Sequence, residues 1–296
     1  MASLFDVGPE MKITAIAPWF GGKRTLAPAI LHELGKHSAY WEPFCGSLAI
    51  LLAKPVVSME TVNDLHGDLI NLARCVQDDT ASVDLFSRLT RVACSEQLHR
   101  EAADRFRARG NIAAANELDV SRAFDYFLCS WLGRNGVAGT SSYNQGFCRR
   151  FTKNGGHAAT RFVSAVNSIP AWWERLRAVT ILNDDGLELL KRIEDAPGVA
   201  IYCDPPYLVK GAKYVHDFAS DDHKKLSEVL RRFKKTRVVV SYYAHDRLKE
   251  LYPDWTVTRL QATKAMVNQG MRDKKGATDA PEVLIINGPS YAEAAK

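Results

Sequence analysis

None of the eight histidines pair at HxH or HxxxH spacing, and the six cysteines, at 45, 75, 94, 129, 148 and 203, form no CxxC pair. That spacing suggests neither a zinc site nor a disulfide framework, so no metal is expected. Cys45 and Cys203 lie within apolar segments and read as small buried thiols. No apolar run approaches the roughly 20 residues of a membrane span, and the N-terminus lacks the basic, apolar and small-residue blocks of a signal peptide. A cytoplasmic protein with no membrane partner is therefore expected. A further absence is local. Between Asp125 and Glu174 there is no acidic residue, while Arg134, Arg149, Arg150, Lys153 and Arg161 fall in that interval together with Tyr143, Phe147 and Phe151. A solvated loop without acids by accident is one account. A polyanion that carboxylates would repel also explains the interleaved aromatics.

What is present is ordinary for a globular chain of 296 residues: 46% apolar, 25% charged, net charge +5. That length suits one large domain or a core with an insert. Apolar runs recur with polar punctuation at their C-terminal ends. Tyr40–Phe44 runs into Cys45-Gly46-Ser47, Thr61-Val62 into Asn63-Asp64, Val179–Leu182 into Asn183-Asp184-Asp185, and Val199–Cys203 into Asp204-Pro205-Pro206. Helical patterns follow at Leu48–Ala53, Asp68–Val76, Leu187–Ile193 and Asp221–Phe233, and Arg237–Ser241 is a further strand. Strands alternating with helices predict a doubly wound, mostly parallel α/β sheet. The rhythm breaks between about 78 and 178, where helices are expected at Glu96–Arg109, Asn116–Leu132 and Arg161–Asn167. The division is thus an α/β domain of residues 11–77 and 179–290, interrupted by a mainly helical lobe of residues 78–178. Two late strands, Trp255–Leu260 and Glu282–Ile286, flank a polar segment from Lys264 to Thr278.

In doubly wound sheets ligands sit at the C-terminal ends of strands, so each polar strand end is a site candidate. The sharpest is Asp204-Pro205-Pro206-Tyr207. The prolines fix φ and donate no hydrogen bond, leaving their carbonyls free as acceptors. Asp204 and the Pro205 carbonyl then make a rigid pair of acceptors for an NH2 group, and Tyr207 offers a flat face to a planar base. Taken alone, a proline-rich turn closing a strand is the competing account. Gly46, in Glu42-Pro43-Phe44-Cys45-Gly46-Ser47, lets backbone approach a ligand closely. Asp64 suits ribose hydroxyls, and Asn63-Asp64 serves equally well as a helix cap. Trp19-Phe20-Gly21-Gly22-Lys23-Arg24 reads either as a backbone-hugging loop with a positive tip or as a structural turn.

In order along the chain, PWFGGKR, EPFCGS, NDLHGD and CDPPY resemble the motifs of the Dam-type (D12 class, α group) DNA adenine methyltransferases. The resemblance runs from about Ala17 to Asn287. It implies a Rossmann-like methyltransferase sheet with an inserted target-recognition lobe. The implied activity is transfer of a methyl group from S-adenosylmethionine to the exocyclic amino nitrogen of a flipped adenine in double-stranded DNA. It further implies a monomer working in the cytoplasm of a bacterial or phage-infected cell. Cofactor contacts would come from Trp19, Gly21, Gly22, Lys23, Glu42, Pro43, Phe44, Gly46, Asp64, Asp185 and Asp204. Asp204, Pro205, Pro206 and Tyr207 would form the catalytic pocket. DNA contacts would come from Arg134, Asn135, Arg149, Arg150 and Lys153 in the lobe, and from Lys264, Arg272, Lys274 and Lys275 in the late segment. Two positions depart from the family pattern. Leu48 stands where a second glycine is common, and Gly186 follows Asp185 where an aromatic is common. The alternatives are an amino-cytosine DNA methyltransferase, against which Asp204 argues because those enzymes more often carry Ser there, an RNA methyltransferase, and an inactive DNA-binding relative.

Overall fold

The computed structural model describes residues 5, 10–19, 21–110, 117–133, 146–149, 157–208, 216–260 and 282–292. The expected DNA-contact residues Arg134, Asn135, Arg150, Lys153, Lys264, Arg272, Lys274 and Lys275 lie outside them. Among the described residues one sheet of seven strands forms the centre. In chain order the strands are β1 (Ala39–Glu42), β2 (Met59–Asn63), β3 (Thr180–Leu182), β4 (Val199–Cys203), β5 (Arg237–Tyr243), β6 (Thr256–Leu260) and β7 (Glu282–Ile286). Their order across the sheet is β3-β2-β1-β4-β5-β7-β6. The first five are parallel to one another, and β7 runs antiparallel to both β5 and β6. The composition of each strand fits its place. β4 (VAIYC) and β7 (EVLII) are near-continuous apolar runs because helices or neighbouring chain cover both faces. At the edge, β6 alternates half-buried and exposed residues as Thr-Val-Thr-Arg-Leu.

Two apolar layers cover the sheet. On one face α9 (Gly186–Arg192), α10 (Ser220–Leu230) and α11 (Arg247–Leu251) bury Leu190, Leu226, Leu230 and Leu248 against Ile201, Val238 and Val240. On the other lie α1 (Ala27–Leu34), α2 (Ala49–Ala53) and α3 (Gly67–Gln77). Outside them pack α4 (Asp79–Thr90), α5 (Glu96–Arg109), α6 (Val120–Leu132), α7 (Ala158–Val166) and α8 (Ile169–Leu176). The α5 bounds match the expectation. α6 starts four residues after Asn116 because Asp119 caps it, its carboxylate accepting from Arg122 N at 2.8 Å. Asp78 caps α4 by accepting from the Thr80 and Ala81 amides; periodicity alone missed that helix, as it missed α1, α8 and α11.

Helices α4 to α8 share a single apolar cluster with α3 and the sheet. They also hold the N-terminal segment in place. Trp172 Nε1 donates to Ile13 O at 2.7 Å, Trp131 Nε1 to Ile16 O at 3.1 Å, and Ile13 N to Ser168 Oγ at 3.2 Å. That segment leads directly to Trp19, so the helical layer fixes where the first motif lies. Within the layer a buried pair, Arg122 with Asp68, joins α6 to the first turn of α3. No helix among the described residues is long and apolar enough to cross a membrane.

Candidate active site

The chain order reverses between β1 and β4: β2 and β3 extend to one side, β5 and its neighbours to the other. At such a switch point the following loops part and leave a crevice at the strand carboxyl ends. Trp41 pairs with Ile201, so Glu42 at the end of β1 and Asp204 just past β4 share one edge of the sheet, near enough for the Asp204 charge to act on Glu42. A cavity of about 210 Å³ opens there. Trp19, Gly22, Lys23, Glu42, Pro43, Phe44, Gly46, Asp64, Asp185, Asp204, Pro205, Pro206 and Tyr207 all line it, so the structure brings together nearly all the expected cofactor and catalytic positions.

Asp204 sits in a compact network. Its Oδ2 lies 2.8 Å from Lys23 Nζ, and its Oδ1 lies 3.1 Å from Tyr207 Oη. Lys23 is buried, donates to Gly21 O at 2.6 Å, and reaches Glu282 Oε1 at 3.2 Å. Tyr207 Oη approaches the same Glu282 oxygen at 2.6 Å. Burial pushes the Asp204 carboxyl up to about 6; Lys23 pulls it down and Glu282 pushes it up. Glu42 is buried deeper and accepts from Tyr40 Oη at 2.9 Å. Desolvation carries it to about 8, aided by the nearby Asp204 charge. At neutral pH Asp204 is thus mostly an ionised acceptor while Glu42 is mostly protonated.

On the cofactor side, Gly46 has φ of 45°, a conformation glycine adopts without strain. A Cβ there would stand 2.9 Å from Trp19 Nε1, so the indole lies flush against the backbone at the end of β1. Asp64 accepts from Gly46 N at 2.8 Å and from His66 N at 2.9 Å, tying the ends of β1 and β2 together. The helix-cap account of Asn63-Asp64 does not hold, since His66 is the residue that caps α3, accepting from Leu69 N. Burial lowers His66 to about 3, which keeps its ring neutral between Trp19 and Tyr126. Asp185 is the cap of α9, accepting from Leu187 N and Glu188 N, and is exposed at the cavity edge.

Both departures from the family pattern have structural counterparts. Leu48 has φ of 62°, the one positive value at a non-glycine among the described residues, and is fully buried. Glycine would be unstrained there, whereas leucine trades backbone strain for apolar burial. At Gly186 a Cβ would fall 2.6 Å from Phe44 Cε1 and 3.0 Å from Pro43 O. Phe44 therefore occupies the space a larger residue 186 would need, and Phe218 meets it edge-on at 5.6 Å. Beside Gly186, where an aromatic is common, the cavity wall carries the rings of Phe44 and Phe218.

Several site residues went unread in the sequence, Glu282, His66, His216 and Phe218 among them. Glu282 looked like the polar start of a strand, and His66, His216 and Phe218 like loop residues, yet all four stand at the site. A carboxylate opening an otherwise apolar strand was the available signal for Glu282. Tyr207 also differs from the expected open ring. Lys23 Nζ stands 5.1 Å from its centroid and Tyr243 meets it edge-on at 4.5 Å, so its surroundings are partly occupied. Of the expected DNA contacts, Arg149 alone is described. It is exposed and pairs with Glu96 at the start of α5, 2.5 Å away.

A family model for D12 class N6 adenine-specific DNA methyltransferases matches residues 19–268. The retron Ec67 DNA adenine methylase of Escherichia coli is 28% identical over 289 residues, covering 93% of this chain and 92% of that protein.

Proposed function

The chain belongs to the D12 class N6 adenine-specific DNA methyltransferases, and from that premise we propose that S-adenosylmethionine and a flipped-out adenine meet in the cavity between β1 and β4. The donor set fits the cofactor. A sulfonium and an ammonium need nearby oxygen acceptors, and the carboxyl groups of Glu42, Asp64 and Asp204 face one cavity with Lys23 as the cation among them. Trp19 against Gly46, and Phe44 with Phe218, supply flat apolar surface for an adenosine. Gly22, Pro43 and Asp185 complete the walls, while Gly21 stays outside the lining and accepts from Lys23 through its carbonyl. When bound, the cofactor supplies an electrophilic methyl group.

The residues of the chain then have the following work. Asp204 accepts from the target amino group, and so favours the pyramidal nitrogen that attack requires and stabilises the positive charge that develops there. Pro205 contributes a carbonyl acceptor, Pro206 stiffens the turn, and Tyr207 supports the base. A base inside a duplex cannot reach a strand-end cavity, so the adenine leaves the stack. Residues 78–178 form the target-recognition lobe, with Arg134, Asn135, Arg149, Arg150 and Lys153 near the bases. Lys264, Arg272, Lys274 and Lys275 hold phosphates on duplex DNA. Under the same proposal the enzyme works as a monomer in the cytoplasm of a bacterial or phage-infected cell.

The observation that carries this reading is the Asp204 carboxylate, fixed by Lys23 at 2.8 Å beside Glu42 at the switch point. The test is incubation with methyl-labelled cofactor and DNA, followed by digestion to nucleosides. Label in N6-methyladenine is expected, with the rate cut by about a hundredfold or more in Asp204→Ala. Label in cytosine, label in RNA alone, or an active Asp204→Ala variant would overturn it.

A further inference from the structure

Tyr207 has one hydroxyl proton and two carboxylate oxygens within reach. Its Oη lies 2.6 Å from Glu282 Oε1 and 3.1 Å from Asp204 Oδ1. A single O–H serves one good acceptor, and the shorter contact has the length of a charge-assisted bond. The proton therefore points at Glu282. Lys23 meanwhile occupies the other Asp204 oxygen, Oδ2, and divides its charge with Glu282.

We propose that Glu282 is a positioning residue that holds the Tyr207 proton and part of the Lys23 charge, and thereby keeps Asp204 Oδ1 open for the target amino group. This rests on the reading of Asp204 as the acceptor for that group. The groups facing Asp204 come from four strands and one loop. They are Lys23 before α1, Glu42 on β1, Tyr202 and Tyr207 on β4 and its turn, Tyr242 and Tyr243 on β5, and Glu282 on β7. Tyr202 Oη is engaged with Ser241 Oγ and Tyr242 Oη with His223 Nδ1, both at about hydrogen-bond length. Tyr207 is the hydroxyl placed to compete for Asp204. Without Glu282, rotation about its C–O bond brings the proton onto Oδ1, and Lys23 and Tyr207 then saturate both oxygens. Glu282 reaches this place because β7 is antiparallel: Tyr243 pairs with Glu282, so the start of β7 lies among the carboxyl ends of the parallel strands.

The test combines two readouts on the full chain. In cofactor-free protein labelled with 13C at aspartate carboxyls, Asp204 is followed by NMR against pH. Its midpoint, about 6 in the parent, should move lower in Glu282→Ala, because a like charge is lost and a hydrogen bond to the ionised form is gained. It should climb back when Tyr207→Phe is added. Single-turnover methylation should slow by about ten- to a hundredfold in Glu282→Ala, the worth of one hydrogen bond to a charged group. The double variant should then be faster than Glu282→Ala alone, a reversal that a merely structural role does not produce. Glu282→Gln retains an oxygen acceptor and should fall between. If Glu282→Ala melts near room temperature, Glu282→Gln with and without Tyr207→Phe carries the same comparison. An unmoved Asp204 midpoint, or a double variant as slow as or slower than the single, overturns the proposal. Failure to methylate adenine at all would sink the assigned reaction, while the NMR titration would still decide where the proton lies.

Discussion

Replacing Asp204 by Asn keeps the shape of the side chain and removes its titration, which makes the energetic burden of that carboxylate measurable. Burial raises the folded carboxyl to about 6 against an ordinary aspartate value of 3.8. Between those two values the folded chain holds a proton that the unfolded chain has already released. Stability therefore falls as pH rises through this window and stays lower above it. Two pH units at 1.36 kcal/mol each give about 3 kcal/mol; the 19% exposure of the Asp204 side chain admits some screening by water, so about 2–3 kcal/mol is expected. Glu42 adds to the effect with the same sign, because the Asp204 charge helps hold it at about 8 and its removal lets it fall. Lys23 retains Glu282 as a partner in the variant, so no buried cation is stranded. Urea unfolding of cofactor-free parent and Asp204→Asn is measured from pH 4.5 to pH 8. The stability of Asn relative to Asp should rise across that range by about 1–2 kcal/mol, because about 1 kcal/mol of the change falls below pH 4.5. A flat difference, or one that falls towards pH 8, would refute the reasoning. The same titration should give the methylation rate an acid limb near pH 6.

Three further outcomes are expected. Leu48→Gly relieves about 1–2 kcal/mol of left-handed strain but empties a fully buried side chain worth about 3–5 kcal/mol, so denaturation should show a net loss of about 2–3 kcal/mol; a more stable variant would mean the strain dominates. Gly186→Ala drives a methyl into Phe44 and the Pro43 carbonyl. It should weaken cofactor binding by about tenfold or more in calorimetry while leaving the fold intact, and unchanged binding would remove Phe44 from that wall. Lys274→Ala with Lys275→Ala should weaken binding to all duplexes alike and flatten the salt dependence by roughly one unit per lost phosphate contact. Arg149→Ala should instead relax discrimination by about 1–3 kcal/mol. Salt titrations on cognate and scrambled duplexes separate the two, and the opposite pattern would exchange the roles of the segments.

The sequence by itself determined the alternation of strands and helices and where the polar strand ends fall. Continuous apolar runs such as Val199–Cys203 must be buried on both faces, and prolines and glycines mark the turns whatever the tertiary context. The motifs around Lys23, Glu42, Asp64 and Asp204 were legible for the same reason: each sits in the few residues where a strand stops. What the chain could not reveal locally is set by pairing. α1, α4 and α8 follow no apolar strand whose polar end would announce them, and their place comes from packing into the common core. The contacts of Phe44 with Gly186 and with Phe218 join residues more than a hundred positions apart, and only the packed structure brings them together. Glu282 is the clearest case. A strand's composition does not state its direction, and in a parallel β7 this carboxylate would lie at the far end of the sheet from Asp204. The antiparallel pairing of Tyr243 with Glu282 turns it to the carboxyl edge, where it meets Tyr207 and Lys23 beside Asp204.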